Sequence, residues 1–243
     1  MEPQLQNWER FCRYTANSDW HGIWTRYAAD GQITETLQAI RSFKIAEDGS
    51  EIQHQNHYTY ADGKQETKTF GPYKKPIIRA LVLDNSLCAS SPKIALGSIF
   101  GCEIGFKHED RRIEVIAIYS DRGSLQRMTI IREQLKTVAE IATSSPIKEL
   151  SIDWQGTSKT ITSDWVLSAP VAKSWQPITD LADNYQQLHF ADGITIYCPS
   201  KITSKKDFFY AVDWPVNSNL LQRGICKYHD SAFTSFTLAI FQS

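Results

Sequence analysis

The sequence predicts an all-β protein: an up-and-down β-barrel followed by a second, smaller β-barrel or half-barrel. Three observations carry that prediction. Asp-Gly dipeptides recur at Asp30-Gly31, Asp48-Gly49, Asp62-Gly63 and Asp192-Gly193, and tight type I′ hairpin turns need the positive φ that Gly and Asp accept most easily. Between these turns the chain alternates polar and apolar residues with a period of two, the strand period. Helical spacing is confined to two short stretches.

The first of these is Leu5, Trp8, Phe11 and Cys12, which predicts one or two helical turns over a barrel mouth. The segment Asp19–Tyr27 then anchors the chain. Its Ile23, Thr25 and Tyr27 point one way, and Trp24 and Arg26 the other. Gly22 lets the backbone approach beneath the Trp24 ring, which would plug one end of a barrel. Arg127 or Arg132, from the closing strand, is the expected partner stacked on that ring.

Strands are predicted at 21–28, 32–45, 50–61, 64–70, 77–83, 99–108, 111–120 and 124–134, with further turns at Glu109-Asp110 and Arg122-Gly123. Successive strands joined by short turns describe a meander, which removes its exposed edges by closing on itself. The stretch 84–98 is predicted as a loop covering a barrel mouth. The second helical pattern is Leu135, Val138, Ala139 and Ile141, and Thr143-Ser144-Ser145-Pro146 reads as a linker after it. Strands resume at 149–156, 159–167, 186–190, 194–199, 207–214, 221–228 and 233–241, with a loop at 168–184. The expected domains are therefore 1–140 and 147–243.

Composition narrows the function classes. Lys and Arg number 26 against 27 Asp and Glu, a net charge of −1, so overall charge recruits neither nucleic acid nor an anionic membrane. No apolar run is long enough to span a bilayer, and Met1-Glu2-Pro3-Gln4 does not open a secretory signal. The five cysteines, Cys12, Cys88, Cys102, Cys198 and Cys226, are odd in number and scattered. That pattern favours buried thiols and a cytoplasmic location over a disulfide frame or a zinc site.

The segments Trp20–Tyr27, Gln38–Phe43 and His57–Gly63 together resemble an uncharacterised, mainly cyanobacterial family of two-part lipocalin-like proteins. Gly22-Ile23-Trp24 itself resembles the Gly-x-Trp signature of lipocalins (calycins). The resemblance covers most of the chain and implies a lipocalin-like barrel joined to a separate C-terminal β part. It also implies distant structural kinship with the phycobiliprotein lyases, which hold a bilin in one such barrel. It supplies no catalytic residue, and no bilin-binding motif is matched.

Candidate site residues come from strand faces. On 50–61, Ile52, His54, Asn56, Tyr58 and Tyr60 share one face, against Gln53, Gln55, His57 and Thr59 on the other. An inward tyrosine face would give a barrel a polar lining able to orient a ligand, although small barrels also fill their interiors with such groups for structural reasons. Arg41 lies on the apolar face of 32–45 with Ala39 and Phe43, and Arg79 shares a face with Ile77 and Leu81. A cation there must be paired, and a ligand carboxylate, Glu103 or Glu133 would each serve for Arg41. His54 and His57 fall on opposite faces and cannot share a metal, so no metal and no cofactor is expected. Cys102 is read as a small buried residue, with a covalent chromophore as the alternative.

The expected ligand-binding set is Arg41, His54, Asn56, Tyr58, Tyr60, Arg79 and Glu103, around an apolar small molecule of the tetrapyrrole or isoprenoid pigment class. A metal-free chromophore lyase, or an isomerase or cyclase using Tyr58, His54 or Glu103 for proton transfer, is the enzymatic alternative. A protein-interaction module with a filled core is the third reading. No residue pattern specifies an oligomeric state.

Overall fold

A computed structural model of the chain describes residues 2–138, 153–190 and 192–243. It opens with helix α1 (Pro3–Thr15), followed by β1 (Asp19–Ala28), β2 (Ile33–Ile45), β3 (Glu51–Thr59), β4 (Gln65–Lys74), β5 (Ala80–Leu83), β6 (Ser86–Ser90), β7 (Phe100–His108), β8 (Arg111–Tyr119) and β9 (Leu125–Leu135). The C-terminal part holds β10 (Gln155–Thr162), β11 (Val171–Ser174), β12 (Tyr185–His189), β13 (Thr195–Pro199), β14 (Phe208–Asn217), β15 (Leu220–His229) and β16 (Ala232–Gln242).

The described strands form two antiparallel sheets. The first runs β4-β3-β2-β1-β9-β8-β7-β6-β5. Every neighbour but one is also the next strand in sequence; the exception is β1 with β9, which joins the first strand to the last. The sheet curls into a half-barrel whose edges are β4 and β5, so an unpaired seam lies between them. Each Asp-Gly turn places its glycine at positive φ, from 68° at Gly49 to 85° at Gly31, as the hairpins require.

Helix α1 is longer than its sequence pattern predicts. It begins with Pro3 in its first turn and ends at Ala16, in the left-handed conformation with its N–H on the Cys12 carbonyl. Its buried face is Asn7, Trp8, Phe11, Tyr14 and Thr15. Asn7 acts as a piece of strand along the free edge of β5. Its amide nitrogen donates to the Ala80 carbonyl at 2.8 Å, and its oxygen accepts from Val82 N–H at 2.8 Å. An exposed edge is thereby covered.

The second sheet runs β11-β10-β16-β15-β14-β13-β12 and packs on the outer face of β5–β9. One apolar core joins the two: Leu83, Cys88, Ile104, Phe106, Val115 and Ile130 from the first sheet meet Ile196, Tyr210, Val212, Cys226, Phe236 and Leu238 from the second. A Cβ on Gly224 would stand 2.8 Å from Ile104 Cγ2, so a bare backbone is needed where the sheets come closest. Strands β5–β9 are therefore covered on both faces, which is why Ala80–Leu83 is buried at every residue.

Several expectations need correction. The stretch 84–98 is not all loop: Asp84, at φ 52°, turns the chain into β6, and Ile94 N–H then bonds the Ser231 carbonyl in the β15–β16 turn. Residues 149–152 of the predicted strand at 149–156 lie outside the described residues. Strand β10 (Gln155–Thr162) overlaps the rest of it and the start of the predicted strand at 159–167, and β11 falls inside the predicted loop at 168–184. The cysteines are not all thiols: Cys88 and Cys226, 138 residues apart, form a disulfide between the sheets. Leu135 ends β9 instead of opening a helix; the rest of that predicted helix from Ala139 on, and the linker after it, lie outside the described residues.

Candidate functional site

The inner face of the half-barrel is set by the strand period. Leu37, Ala39, Arg41 and Phe43 of β2 point inward, as do Ile52, His54, Asn56 and Tyr58 of β3. From β7 and β8 the inward side chains are Glu103, Arg112, Glu114 and Ile116, because Cys102, Ile104, Ile113 and Val115 are taken by the inter-sheet core. Of these, Arg41, Phe43, His54, Asn56, Tyr58, Glu103, Glu114 and Ile116 line a cavity of about 610 Å³ under α1, together with Trp24, Tyr14, Phe11, Leu87 and Ala89. Its mouth is the seam between β4 and β5, where Phe70, Pro72, Tyr73, Ile77, Ile78 and Arg79 line it; Ile78 there is 63% exposed.

One wall of the cavity is a buried ion cluster. Arg41 Nη1 lies 2.5 Å from Glu114 Oε2 and 3.3 Å from Glu133 Oε2. Arg112 donates to Glu133 through Nε at 2.8 Å and Nη2 at 2.6 Å, and its Nε is 3.8 Å from Glu114 Oε1. The Tyr14 hydroxyl donates to Glu114 Oε1 at 3.0 Å. Gly105 leaves room for this bond, since a Cβ there would stand 2.2 Å from the Tyr14 oxygen. Gly22 does the same for Glu133, whose Cγ would lie 2.5 Å from a Cβ at that position. The Arg132 carbonyl oxygen would be closer still, at 2.3 Å, so the bare backbone of Gly22 admits the neighbouring strand β9 and the Glu133 side chain.

Charge placement follows. Burial opposes the Arg41 charge, but Glu114, Glu133 and Glu103 outweigh it and hold the guanidinium firmly protonated. Burial likewise opposes ionisation of Glu114, yet Arg41 and Arg112 overcome it and keep its carboxylate well below the usual range. Glu103 goes the other way. Burial, then the neighbouring Glu114 charge and a hydrogen bond to it, push its carboxyl well up, so the pair shares one proton, carried on Glu103. Glu103 lies deep in the molecule but retains accessible surface, which faces the cavity.

Across the cavity runs a polar chain. The Tyr73 hydroxyl and His54 Nδ1 are 2.9 Å apart, and His54 Nε2 and Asn56 Oδ1 2.6 Å. Asn56 Nδ2 then donates to the Tyr58 hydroxyl at 2.8 Å. Since an amide oxygen only accepts, His54 carries its proton on Nε2, and Tyr73 donates to Nδ1. Burial, then Arg41, lower the His54 pKa to about 3, so the ring is neutral. Tyr58 accepts at the end of the chain, and its own hydrogen remains to donate. The Trp24 indole Nε1 and Arg41 Nε are buried without an acceptor.

Of the seven expected binding residues, Arg41, His54, Asn56, Tyr58, Arg79 and Glu103 line this cavity. Tyr60 does not; it packs beside Tyr58 and gives its hydroxyl to Glu66 Oε2 at 2.7 Å. Arg79 is an exposed residue of the mouth, because β5 begins one residue later. The partners of Arg41 are Glu114 and Glu133. Arg41 itself stands 5.5 Å from the Trp24 ring, while Arg127 is exposed and Arg132 pairs with Asp192 on the outer face. The arginine stacked from a late strand is instead Arg112, 4.3 Å from the Trp20 ring.

Cys102 turns away from the cavity and accepts from the Tyr228 hydroxyl at 3.2 Å; burial pushes its thiol up to about 12. Among the described residues, the compact group of potential metal ligands is Cys88, Cys102 and Cys226, and two of these sulfurs are bonded to each other. Tyr14, Arg112, Glu114 and Tyr73 were missed by sequence reasoning. The signal for two of them was present: Arg112 and Glu114 alternate with Ile113 and Val115 on one strand.

The family model for the N-terminal domain of DUF3598, a domain of unknown function, matches residues 4–138. A crystal structure of a DUF3598 protein of unknown function from Nostoc punctiforme is similar over 97% of this chain and 98% of its own, with a TM-score of 0.76 at 18% identity. A putative outer membrane protein from Bacteroides fragilis aligns over the full length of both chains at a TM-score of 0.28 and 9% identity, a likeness too slight to carry any inference. No curated protein matches the chain. Among the described residues, no helix is long and apolar enough to cross a membrane.

Proposed function

The chain belongs to the DUF3598 family, and from that premise we propose that it is a binder or carrier of an apolar small molecule held in the half-barrel. The observation that carries this reading is the cavity of about 610 Å³, within the roughly 300–1,000 Å³ of sites for drug-sized molecules. Its walls are mostly rings and aliphatic chains, with a few polar groups gathered beside Arg41. A curled up-and-down sheet with a helix across it supports a lipocalin-like mode of binding, in which an apolar body enters through the seam and its polar end meets Tyr58 and Trp24. An isoprenoid or tetrapyrrole pigment suits the resemblance to lipocalin-like proteins.

The test is a titration of tryptophan fluorescence with polyenes, bilins and fatty acids, on the native protein and on Ala89→Trp, which fills the cavity from β6. Binding that the filled variant loses supports the proposal. Equal binding by both proteins places any site elsewhere.

One observation favours an enzymatic reading beside it. Glu103 presents a protonated carboxyl to an apolar cavity and rests on the Glu114 carboxylate, the arrangement of a general acid poised to protonate a double bond. An isomerase or cyclase acting on the bound ligand would lose turnover, but not binding, in Glu103→Gln.

A further inference from the structure

The buried charges in and behind the cavity wall are already balanced. Arg41 and Arg112 stand against Glu114 and Glu133, and each of the four is at most 7% exposed. Glu103 adds no charge while it shares its proton with Glu114. A carboxylate brought among these groups would leave the site one negative charge in excess, out of water and beside two existing carboxylates. Such a charge is costly unless paired.

What the cavity lacks is hydrogen-bond acceptors for its donors. Trp24 is only 9% exposed, lines the cavity, and its indole N–H meets no acceptor. Arg41 Nε is in the same state. The Tyr58 hydroxyl is used only as an acceptor, from Asn56. These three groups belong to neighbouring strands β3, β2 and β1, and the rings of Trp24 and Tyr58 meet edge to face at 5.2 Å.

We infer that the cavity selects a neutral apolar molecule ending in a hydrogen-bond acceptor, a ketone, aldehyde or ester carbonyl, over the corresponding carboxylate. This rests on the binding role proposed above and names its ligand class. It also ranks neutral isoprenoid ketones above bilins, whose propionates would have to be accommodated. The cations at the mouth, Lys74 and Arg79, are exposed and already hydrated, so they do not reverse the preference.

The experiment is isothermal titration calorimetry of the full chain with three molecules sharing one undecyl chain: methyl undecyl ketone, dodecanoate and tridecane. At pH 8 the ketone should bind at least about tenfold more tightly than dodecanoate, about 1.4 kcal/mol. Trp24→Phe keeps a ring in place and should weaken the ketone roughly 2- to 10-fold, the worth of one neutral hydrogen bond, while leaving tridecane unchanged. Dodecanoate binding as tightly as the ketone, with an affinity that falls on adding salt or in Arg79→Gln, overturns the inference: the head then sits at the mouth. If none of the three binds, the binding role falls and this inference with it. A ketone preference that Trp24→Phe leaves intact removes the assigned donor.

Discussion

Removing the Arg41 charge probes the ion cluster directly. Arg41→Met retains much of the apolar stem beside Trp24 and Phe43 but strips Glu114 of one of its two cations. It also leaves Glu133 with Arg112 alone. One buried carboxylate then has no compensating charge, and breaking a buried pair in this way typically costs about 3–5 kcal/mol. In a chain of 243 residues each kcal/mol moves Tm by roughly 2–4 °C, so a fall of about 10 °C is expected at pH 7. The loss should shrink below pH 5, where the uncompensated carboxylate can take up a proton. Adding Glu114→Gln should recover much of the stability, since Arg112 and Glu133 then balance alone. Urea unfolding of the two single variants and the double variant, at pH 7 and pH 5, gives the coupling. An Arg41→Met protein within 1 kcal/mol of the parent, or single-variant effects that simply add, would refute the cluster as described.

Three further outcomes follow from the same geometry. Glu103 has a raised folded-state pKa, so the stability it contributes is present at low pH and lost as the unfolded chain ionises. Glu103→Gln should therefore grow more stable relative to the parent from pH 5 to pH 8 in thermal melts, and a constant difference would contradict the shared proton. His54 has a folded pKa of about 3 against an unfolded value near 6.5, so its contribution is present above that value and lost as pH falls toward 3. About 3 kcal/mol should go between pH 7 and pH 4, and His54→Gln should flatten that part of the acid-unfolding curve; an unchanged curve would place the acid lability elsewhere. Reducing the Cys88–Cys226 bond removes a cross-link spanning 138 residues and should cost about 2–5 kcal/mol. Since both sheets share one core, denaturation followed by fluorescence and by circular dichroism should still coincide; two separated transitions in the reduced protein would argue for independent halves.

The hairpins were legible because their chemistry is local. Asp30-Gly31, Asp48-Gly49 and Asp62-Gly63 announce their turns, and the alternation of β2 and β3 put Arg41, His54, Asn56 and Tyr58 on the correct face. What sequence reasoning missed is long-range. The turn at Asp84-Asn85 lacks a glycine, so β6 was absorbed into a loop, although Asp and Asn both tolerate left-handed backbone. Strand β11 is four residues long and wholly exposed, so it carries no alternation. The run Ile113–Tyr119 is apolar on both faces except for Glu114, which is how a strand covered on both sides reads. With that second sheet in mind, Glu114 would have stood out as a buried charge. Cys88 and Cys226 show no spacing that links them; only the packing of β6 on β15 brings them together. Gly22-Ile23-Trp24 pointed to the right strand but to the wrong ring, since it is Trp20 that Arg112 covers.

The measurement that bears most directly on the cavity as a binding site is native mass spectrometry of the protein isolated from its own host, beside Ala89→Trp expressed in the same host. The native chain should carry a non-covalent adduct of one neutral, apolar, carbonyl-bearing compound, and the filled variant none. An adduct of equal abundance on both chains, or a bare native chain, would contradict it.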